Sequence, residues 1–144
     1  MLYNFFIYNR KGTCIYYQEW SVEKEEINLE EVKRNMYGLM FEMKRFIVKA
    51  SPNGEATDYF SYTTDKYKLH CYETASGKRF VILTEPRVGS LKEQLQTIYR
   101  DIFVECITKN PLYKDKEDIQ DCTLFTEELA KYLQSQSIWK FIVK

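Results

Sequence analysis

The chain has 144 residues, and its 21 Lys and Arg side chains are balanced by 21 Asp and Glu, so its formal net charge is zero. Zero net charge excludes the broad attraction to nucleic acid or to anionic membranes that a basic domain would have. The length fits a single domain that buries roughly 70% of its unfolded surface, and the 12 Tyr, 9 Phe and 2 Trp exclude a disordered linker.

The first elements form a predicted β-hairpin. Residues 2–8 are rich in β-formers, Asn9-Arg10-Lys11-Gly12 supplies a turn in which glycine accepts positive φ, and a second strand follows over 13–18. The first strand is apolar at both odd and even positions. An alternating strand would have one face in water, so this pattern predicts a central strand that is covered on both faces.

A long amphipathic helix comes next. The charge-rich residues 21–35 are predicted to form a polar loop that enters the helix near Leu29, and apolar residues recur at 100° per residue from 32 to 50. Ser51-Pro52-Asn53-Gly54 then ends the helix, since proline lacks an N–H and its neighbours favour turns. The predicted core-facing residues are Val32, Met36, Leu39, Met40, Met43, Phe46 and Ile47.

The second half of the chain predicts a three-stranded meander and two helices. The strands cover 58–63, 67–74 and 78–84, and the next helix runs from Leu91 to about Lys109, where Asn110-Pro111 ends it. A polar loop at 114–121 leads to the last helix. The predicted core residues of these two helices are Leu91, Leu95, Ile98, Tyr99, Ile102 and Cys106, then Phe125, Leu129, Tyr132 and Leu133.

The predicted element order is therefore β-β-α-β-β-β-α-α. A hairpin and a meander can share one five-stranded antiparallel sheet if the first and last strands pair at its centre, which gives the strand order 2-1-5-4-3. The first helix then covers one face of the sheet and the later helices cover the other. We predict one three-layer α/β/α domain over 1–144, in which 136–144 form a disordered or extended tail.

Catalytic and cofactor chemistry has little support in the residues. His70 and Cys71 are adjacent, but successive strand residues point to opposite faces, so they are not predicted to form a dyad. A zinc site would need His70 with distant cysteines, and the five glycines form neither a dinucleotide fingerprint nor a P-loop. Basic and aromatic residues alternate over 66–72, which is typical of a single-strand nucleic-acid platform or of a half-buried structural strand. We favour the strand, and expect no catalytic residue, cofactor, metal or nucleic-acid partner.

The cysteines and the hydropathy pattern indicate the cellular compartment of the protein. Cys14, Cys71, Cys106 and Cys122 are widely spaced and contain no C-x-x-C pair, which indicates reduced thiols in a cytoplasmic protein. No basic segment precedes the apolar start, and no window approaches 18 apolar residues. We therefore expect neither a signal peptide nor direct membrane insertion.

The first helix carries more apolar residues than packing against its own sheet requires. Tyr37, Phe41 and Val48 lie within about 40° of one another, opposite the main arc. Each aromatic side chain can bury roughly 150–250 Å², so together they would form an apolar patch of about 400 Å², which is typical of an interaction surface. A terminal tail of the chain could cover the patch instead. We predict a partner interface at Tyr37, Phe41 and Val48, with Lys44 on the same helix.

Several segments resemble a known family. Residues 5–20 resemble the start of longin-like domains. Residues 36–41 and 46–52, and above all Tyr67-Lys68-Leu69-His70-Cys71-Tyr72-Glu73-Thr74 with Gly77, resemble the smallest longin-like (sedlin-type) subunits of the TRAPP (trafficking protein particle) vesicle-tethering complex. The similarity covers roughly residues 3–136, and it departs from the family pattern at Ala75-Ser76 and in the acidic segment 21–28.

The resemblance implies a longin/profilin-like domain that acts as a non-catalytic scaffold. In that family the complex is a guanine-nucleotide exchange factor for a Rab GTPase of ER-to-Golgi transport, and the small subunit pairs with a larger longin-like subunit to form part of the GTPase-docking surface. It also implies a cytoplasmic protein, peripheral at the cis-Golgi and endoplasmic reticulum. Two alternatives stay open: a small longin-like chain of a clathrin-type adaptor coat, and a ligand-sensing three-layer domain.

Overall fold

The computed structural model describes residues 2–20, 29–50, 58–114 and 116–136. Within these ranges the strands are β1 (Leu2–Tyr8), β2 (Cys14–Glu19), β3 (Tyr59–Thr63), β4 (Lys68–Glu73) and β5 (Arg79–Thr84). The helices are α1 (Leu29–Ala50), α2 (Lys92–Thr97), which leads directly into a π-helix (Ile98–Thr108), and α3 (Thr123–Ser135).

The strands form one antiparallel sheet in the order β2-β1-β5-β4-β3, which confirms the predicted order. At the centre, Phe5 of β1 lies opposite Gln18 of β2 on one side and opposite Ile82 of β5 on the other. Each predicted strand end lies within one residue of the observed end. The short turns at 9–13 and 74–78 therefore lie at the same end of the sheet, because β1 and β4 both run towards it.

The apolar residues at both odd and even positions of β1 follow from its place between two cores. Phe5 and Ile7 point into the core beneath α2, the π-helix and α3, whereas Phe6 and Tyr8 point into the core beneath α1. The Tyr8 hydroxyl also donates a hydrogen bond of 2.7 Å to the carbonyl of Lys33 in α1. This confirms the three-layer α/β/α architecture, with α1 alone on one face.

The π-helix changes which residues reach the core. The backbone N–H of Lys109 bonds the carbonyl of Val104, five residues earlier, at 2.9 Å. A π-helix has more residues per turn than an α-helix, so neighbouring pairs of residues can share its buried face. The sequence pattern, which assumed the α-helical period, missed Phe103 and Ile107. The buried residues of this segment are Ile98, Ile102, Phe103, Cys106 and Ile107.

The predicted inward arc of α1 is confirmed except at one position. Met40 is fully buried, and the other correctly predicted side chains pack against the same core: Val32, Met36, Leu39, Met43 and Ile47. The prediction was wrong for Phe46, whose side chain is 68% exposed. At 100° per residue Phe46 lies about 120° from Met40 around the helix, so it does not face the sheet.

Some predictions concern other parts of the chain. The polar loop at 21–28, the turn at 51–54 and the tail beyond 136 lie outside the described residues. Among the helices of the described ranges, none combines the length and the apolar composition that a bilayer span requires.

Candidate partner interface

The surface of α1 carries two exposed aromatic side chains. Phe41 is 44% exposed and Phe46 is 68% exposed. At 100° per residue they lie about 140° apart around the helix, so a flat partner surface centred on one would leave the other at its edge. Phe41 belongs to the predicted interface, whereas Phe46 is a candidate that the sequence reasoning assigned to the core. Its angular distance from Met40 was the signal that could have identified it.

Tyr37 lies beside Phe41 but packs partly within the domain. Its ring centroid is 5.5 Å from that of Tyr8, and the guanidinium carbon of Arg79 lies 5.2 Å from its centroid. The ring also lies against Gly12, since a Cβ at that glycine would be 2.8 Å from its Cζ atom. Tyr37 therefore anchors α1 on the β1–β2 turn, and Phe41 is the more accessible of the two aromatic residues.

Lys44 is held by a small charge network rather than pointing freely to solvent. It forms an ion pair with Glu73 at the end of β4, and Arg79 Nε lies 3.5 Å from the same carboxylate oxygen. Arg79 Nη1 is buried and has no hydrogen-bond partner within the described ranges. Val48, one turn beyond Lys44, is half-buried.

An open groove of about 400 Å³ separates α1 from the turns at this end of the sheet. Its lining includes Tyr37 and Phe41 of α1, Arg10 and Arg79, and also Glu73, whose carboxylate is paired with Lys44 and Arg79. Lys44 adjoins the groove through Glu73, whereas Val48 is not among its lining residues. The groove thus offers aromatic surface beside Arg10, which forms no ion pair with a carboxylate of the described residues, and this suits a protein segment with apolar and carboxylate side chains. The sequence reasoning missed Arg10 and Arg79, because they come from separate turns and strands.

His70 and Cys71 point to opposite faces of β4, as predicted. Cys71 lies in the core beneath α1, whereas His70 is buried on the other face, with Nδ1 2.9 Å from the Tyr59 hydroxyl and Nε2 3.0 Å from the Thr84 hydroxyl. Burial lowers the pKa of His70 to about 4 and raises the pKa of Cys71 to about 12. The two groups cannot act together as base and nucleophile, because they lie in separate layers.

Metal-binding geometry does not occur among the residues that the structure describes. There, no three His, Cys, Asp or Glu side chains are placed to hold a metal ion, and the four cysteines are free thiols.

Comparison with known proteins places the whole fold in one family. A model of the Sybindin-like family matches residues 2–136. Trafficking protein particle complex subunit 1 of Dictyostelium discoideum is 40% identical over 136 residues, which cover 93% of this chain and 95% of that protein. Transport protein particle subunit bet5 of Schizosaccharomyces pombe is 31% identical over 153 aligned residues, which cover 94% and 97%.

A second type of relative matches over a shorter stretch. Trafficking protein particle complex subunit 4 of Pongo abelii is 36% identical over 84 residues, which cover 58% of this chain but 37% of that longer protein. The near-complete matches confirm the resemblance to the smallest longin-like TRAPP subunit, subunit one. The chain therefore belongs to the Sybindin-like family.

Proposed function

We propose that this chain is a structural subunit of the TRAPP complex and pairs there with a larger longin-like subunit. The observation that carries this proposal is the match of nearly the full length of the chain to proteins named as subunit 1 of that complex. The buried, neutral His70 and the protonated Cys71 thiol agree with a role that needs no catalytic group.

The outer face of α1 is the proposed pairing surface. Phe41 is 44% exposed beside a groove that Arg10 also lines, so burial by a partner would remove apolar area from water while Arg10 would favour a carboxylate of the partner. The partial likeness to subunit 4 supports a partner with a similar domain in a longer chain. Tyr37 and Lys44 would support this surface from its edge, and Val48 would extend it along the helix.

The assembled pair would then act in nucleotide exchange on a Rab GTPase. Exchange of this kind needs a surface that binds the GTPase more tightly when its nucleotide is weakly held, and it needs no proton transfer by the scaffold. We accordingly expect the isolated chain to leave nucleotide release unchanged and the assembled complex to accelerate it. In cells the protein would be peripheral at the cis-Golgi and endoplasmic reticulum, recruited through the complex.

The pairing surface can be tested by charge substitution at two exposed positions of the same helix. Phe41→Asp should leave the far-ultraviolet circular dichroism and the urea midpoint of the isolated chain nearly unchanged, because nearly half of the side chain is exposed to solvent. It should reduce co-purification with the larger longin-like subunit by at least about tenfold, since it removes the exposed aromatic surface that the partner would bury. Phe46→Asp, on a different face of α1, is the matched control and should pair normally.

Three outcomes would contradict the proposal in different ways. If Phe41→Asp pairs normally and Phe46→Asp does not, the interface lies on the other side of α1. If Phe41→Asp unfolds the chain, its side chain belongs to the core. Recovery of clathrin-type adaptor chains instead of TRAPP subunits from cytosol would contradict the assignment to the complex as a whole.

A further inference from the structure

A second concave surface lies on the opposite side of the sheet from α1, beneath the same turns. It is a pocket of about 250 Å³ where the β1–β2 turn, the β4–β5 turn and the loop after the π-helix meet. Phe103 and Ile107 of the π-helix close its base, and the half-buried Tyr113 forms part of its side. The pocket is therefore a concave surface with an apolar floor.

The rim of this pocket is strongly basic although the chain as a whole is neutral. Its described charged residues are Arg10, Lys11, Lys78, Lys114, Lys116 and Glu117. Lys11 lies 3.8 Å from Glu117, and both side chains of that pair are mostly exposed, so the carboxylate offsets little of the positive charge. The other four cations form no ion pair with any carboxylate of the described residues.

The cations are positioned over the apolar floor. Lys78 Nζ lies 5.9 Å from the centre of the Phe103 ring, and Lys116 Nζ lies 5.1 Å from that of Tyr113. Such contacts orient the ammonium groups without neutralising them. Five cations around one pocket repel one another, and an anionic ligand would relieve that repulsion.

We propose that this basic pocket binds an acidic segment of another subunit, one that places an apolar side chain on the floor between flanking carboxylates. The inference rests on the proposed function, because it takes the partner to be a protein of the same assembly. The concave shape favours a polypeptide segment over a membrane, since a flat bilayer would contact a flat or convex face. Arg10 lines both this pocket and the groove beside Phe41, so the two surfaces adjoin and one assembly could cover both.

Zero-length crosslinking of the purified complex tests the proposal. A carbodiimide joins a lysine amine to a carboxylate in direct contact, so Lys78, Lys114 and Lys116 should crosslink to Asp or Glu of one other subunit. The charge-reversal pair Lys114→Glu and Lys116→Glu should weaken assembly by about tenfold or more and reduce its dependence on salt concentration. The matched control is Lys66→Glu with Arg87→Glu, which makes the same charge change at the opposite end of the sheet and should change affinity by less than about twofold.

The outcomes separate this inference from the proposed function. If the Lys114→Glu and Lys116→Glu variant assembles normally and no intersubunit crosslink forms at these lysines, while Phe41→Asp still abolishes pairing, the pocket inference is wrong and the proposed function stands. The second measurement is binding to vesicles that contain about one-fifth phosphatidylserine. Binding of the wild-type chain but not of the variant to such vesicles, without crosslinks, would assign the pocket to a membrane and overturn the proposal. If the wild-type chain joins no complex, both fail.

Discussion

The ring of Tyr37 occupies the space that a side chain at Gly12 would need. A Cβ at Gly12 would be 2.8 Å from Cζ of Tyr37 and 2.9 Å from Cε1, both closer than real contacts allow. Gly12 also has φ of +92°, a conformation that residues with a Cβ rarely adopt. This contact fixes the hairpin turn against α1, at the point where the candidate interface begins.

Gly12→Ala should therefore destabilise the domain by about 2 kcal/mol or more, through backbone strain and displacement of the Tyr37 ring. Urea unfolding followed by circular dichroism measures the change. Gly38→Ala is the matched control, because Gly38 is exposed on α1 and a Cβ there would meet no atom within 4 Å, so alanine should stabilise the helix by up to about 1 kcal/mol. Equal stability of the wild type and Gly12→Ala would mean that the turn adapts freely.

The fold could be predicted from the sequence because its strongest signals are local and agree with one another. The apolar run of β1 indicated a strand covered on both faces, and the glycine and proline positions set the turns, which left one natural sheet order. Two errors arose where the pattern depends on helix geometry. Phe46 lies at the margin of the predicted core-facing arc of α1. The range of angles allowed for that arc was wide, so it included a residue that does not face the sheet. Phe103 was missed because the α-helical period does not hold in the π-helix.

The candidate site was less predictable, because its parts are distant in sequence. Phe41 could be identified from the helical wheel alone, since it lies away from Met40 on a helix that already has a core face. The groove and the basic pocket could not, because Arg10, Lys78 and Lys114 come from three separate turns and loops. The antiparallel pairing of β1 with β5 brings Arg10 and Lys78 together, and the loop after the π-helix adds Lys114, so no spacing along the chain indicates their proximity.

Truncation of Phe103 should cost far more stability than truncation of Phe46. Phe103 is fully buried and makes edge-to-face contacts with Phe80 and Phe125, at centroid distances of 5.3 and 6.0 Å. Phe103→Ala should lower the free energy of unfolding by about 3–5 kcal/mol, because it leaves a cavity among these rings. Phe46→Ala, at a 68% exposed position, should change it by less than about 0.5 kcal/mol. Similar losses from both variants, measured in urea, would contradict this difference in burial.

Labelling of thiols in the native protein should distinguish Cys14 from Cys71. Burial raises the pKa of both thiols, and Cys71 is the more deeply buried. The thiolate is the reactive form, so a disulfide reagent at pH 8 should modify Cys14 first, while Cys71 reacts only on opening of the domain. Mass spectrometry after brief exposure identifies the order. Reaction of Cys71 at the rate of an exposed thiol would show that the core beneath α1 opens readily.

The hydrogen bonds around His70 fit a single assignment of donors and acceptors. The N–H of Leu91 donates to the Tyr59 hydroxyl, and the Thr84 hydroxyl donates to the carbonyl of Glu85. The Tyr59 hydroxyl can then donate to Nδ1 of His70, and Nε2–H can donate to Thr84. This arrangement needs a neutral imidazole with its proton on Nε2, because a protonated ring would present a second N–H donor towards Tyr59.

Acidification should therefore destabilise the domain through His70. Burial, with a smaller contribution from Lys68, lowers its pKa from 6.5 to about 4, so between these pH values the unfolded chain binds a proton that the folded chain does not. The contribution of His70 to stability should be nearly constant above pH 7 and fall by up to about 2 kcal/mol between pH 7 and pH 5, at most about 1.4 kcal/mol per pH unit. His70→Gln should be less stable than the wild type at pH 7 but lose this slope, because glutamine does not titrate. Urea unfolding at half-unit pH intervals compares the two proteins, and a wild-type curve that stays flat from pH 7 to pH 5 would contradict the buried neutral imidazole.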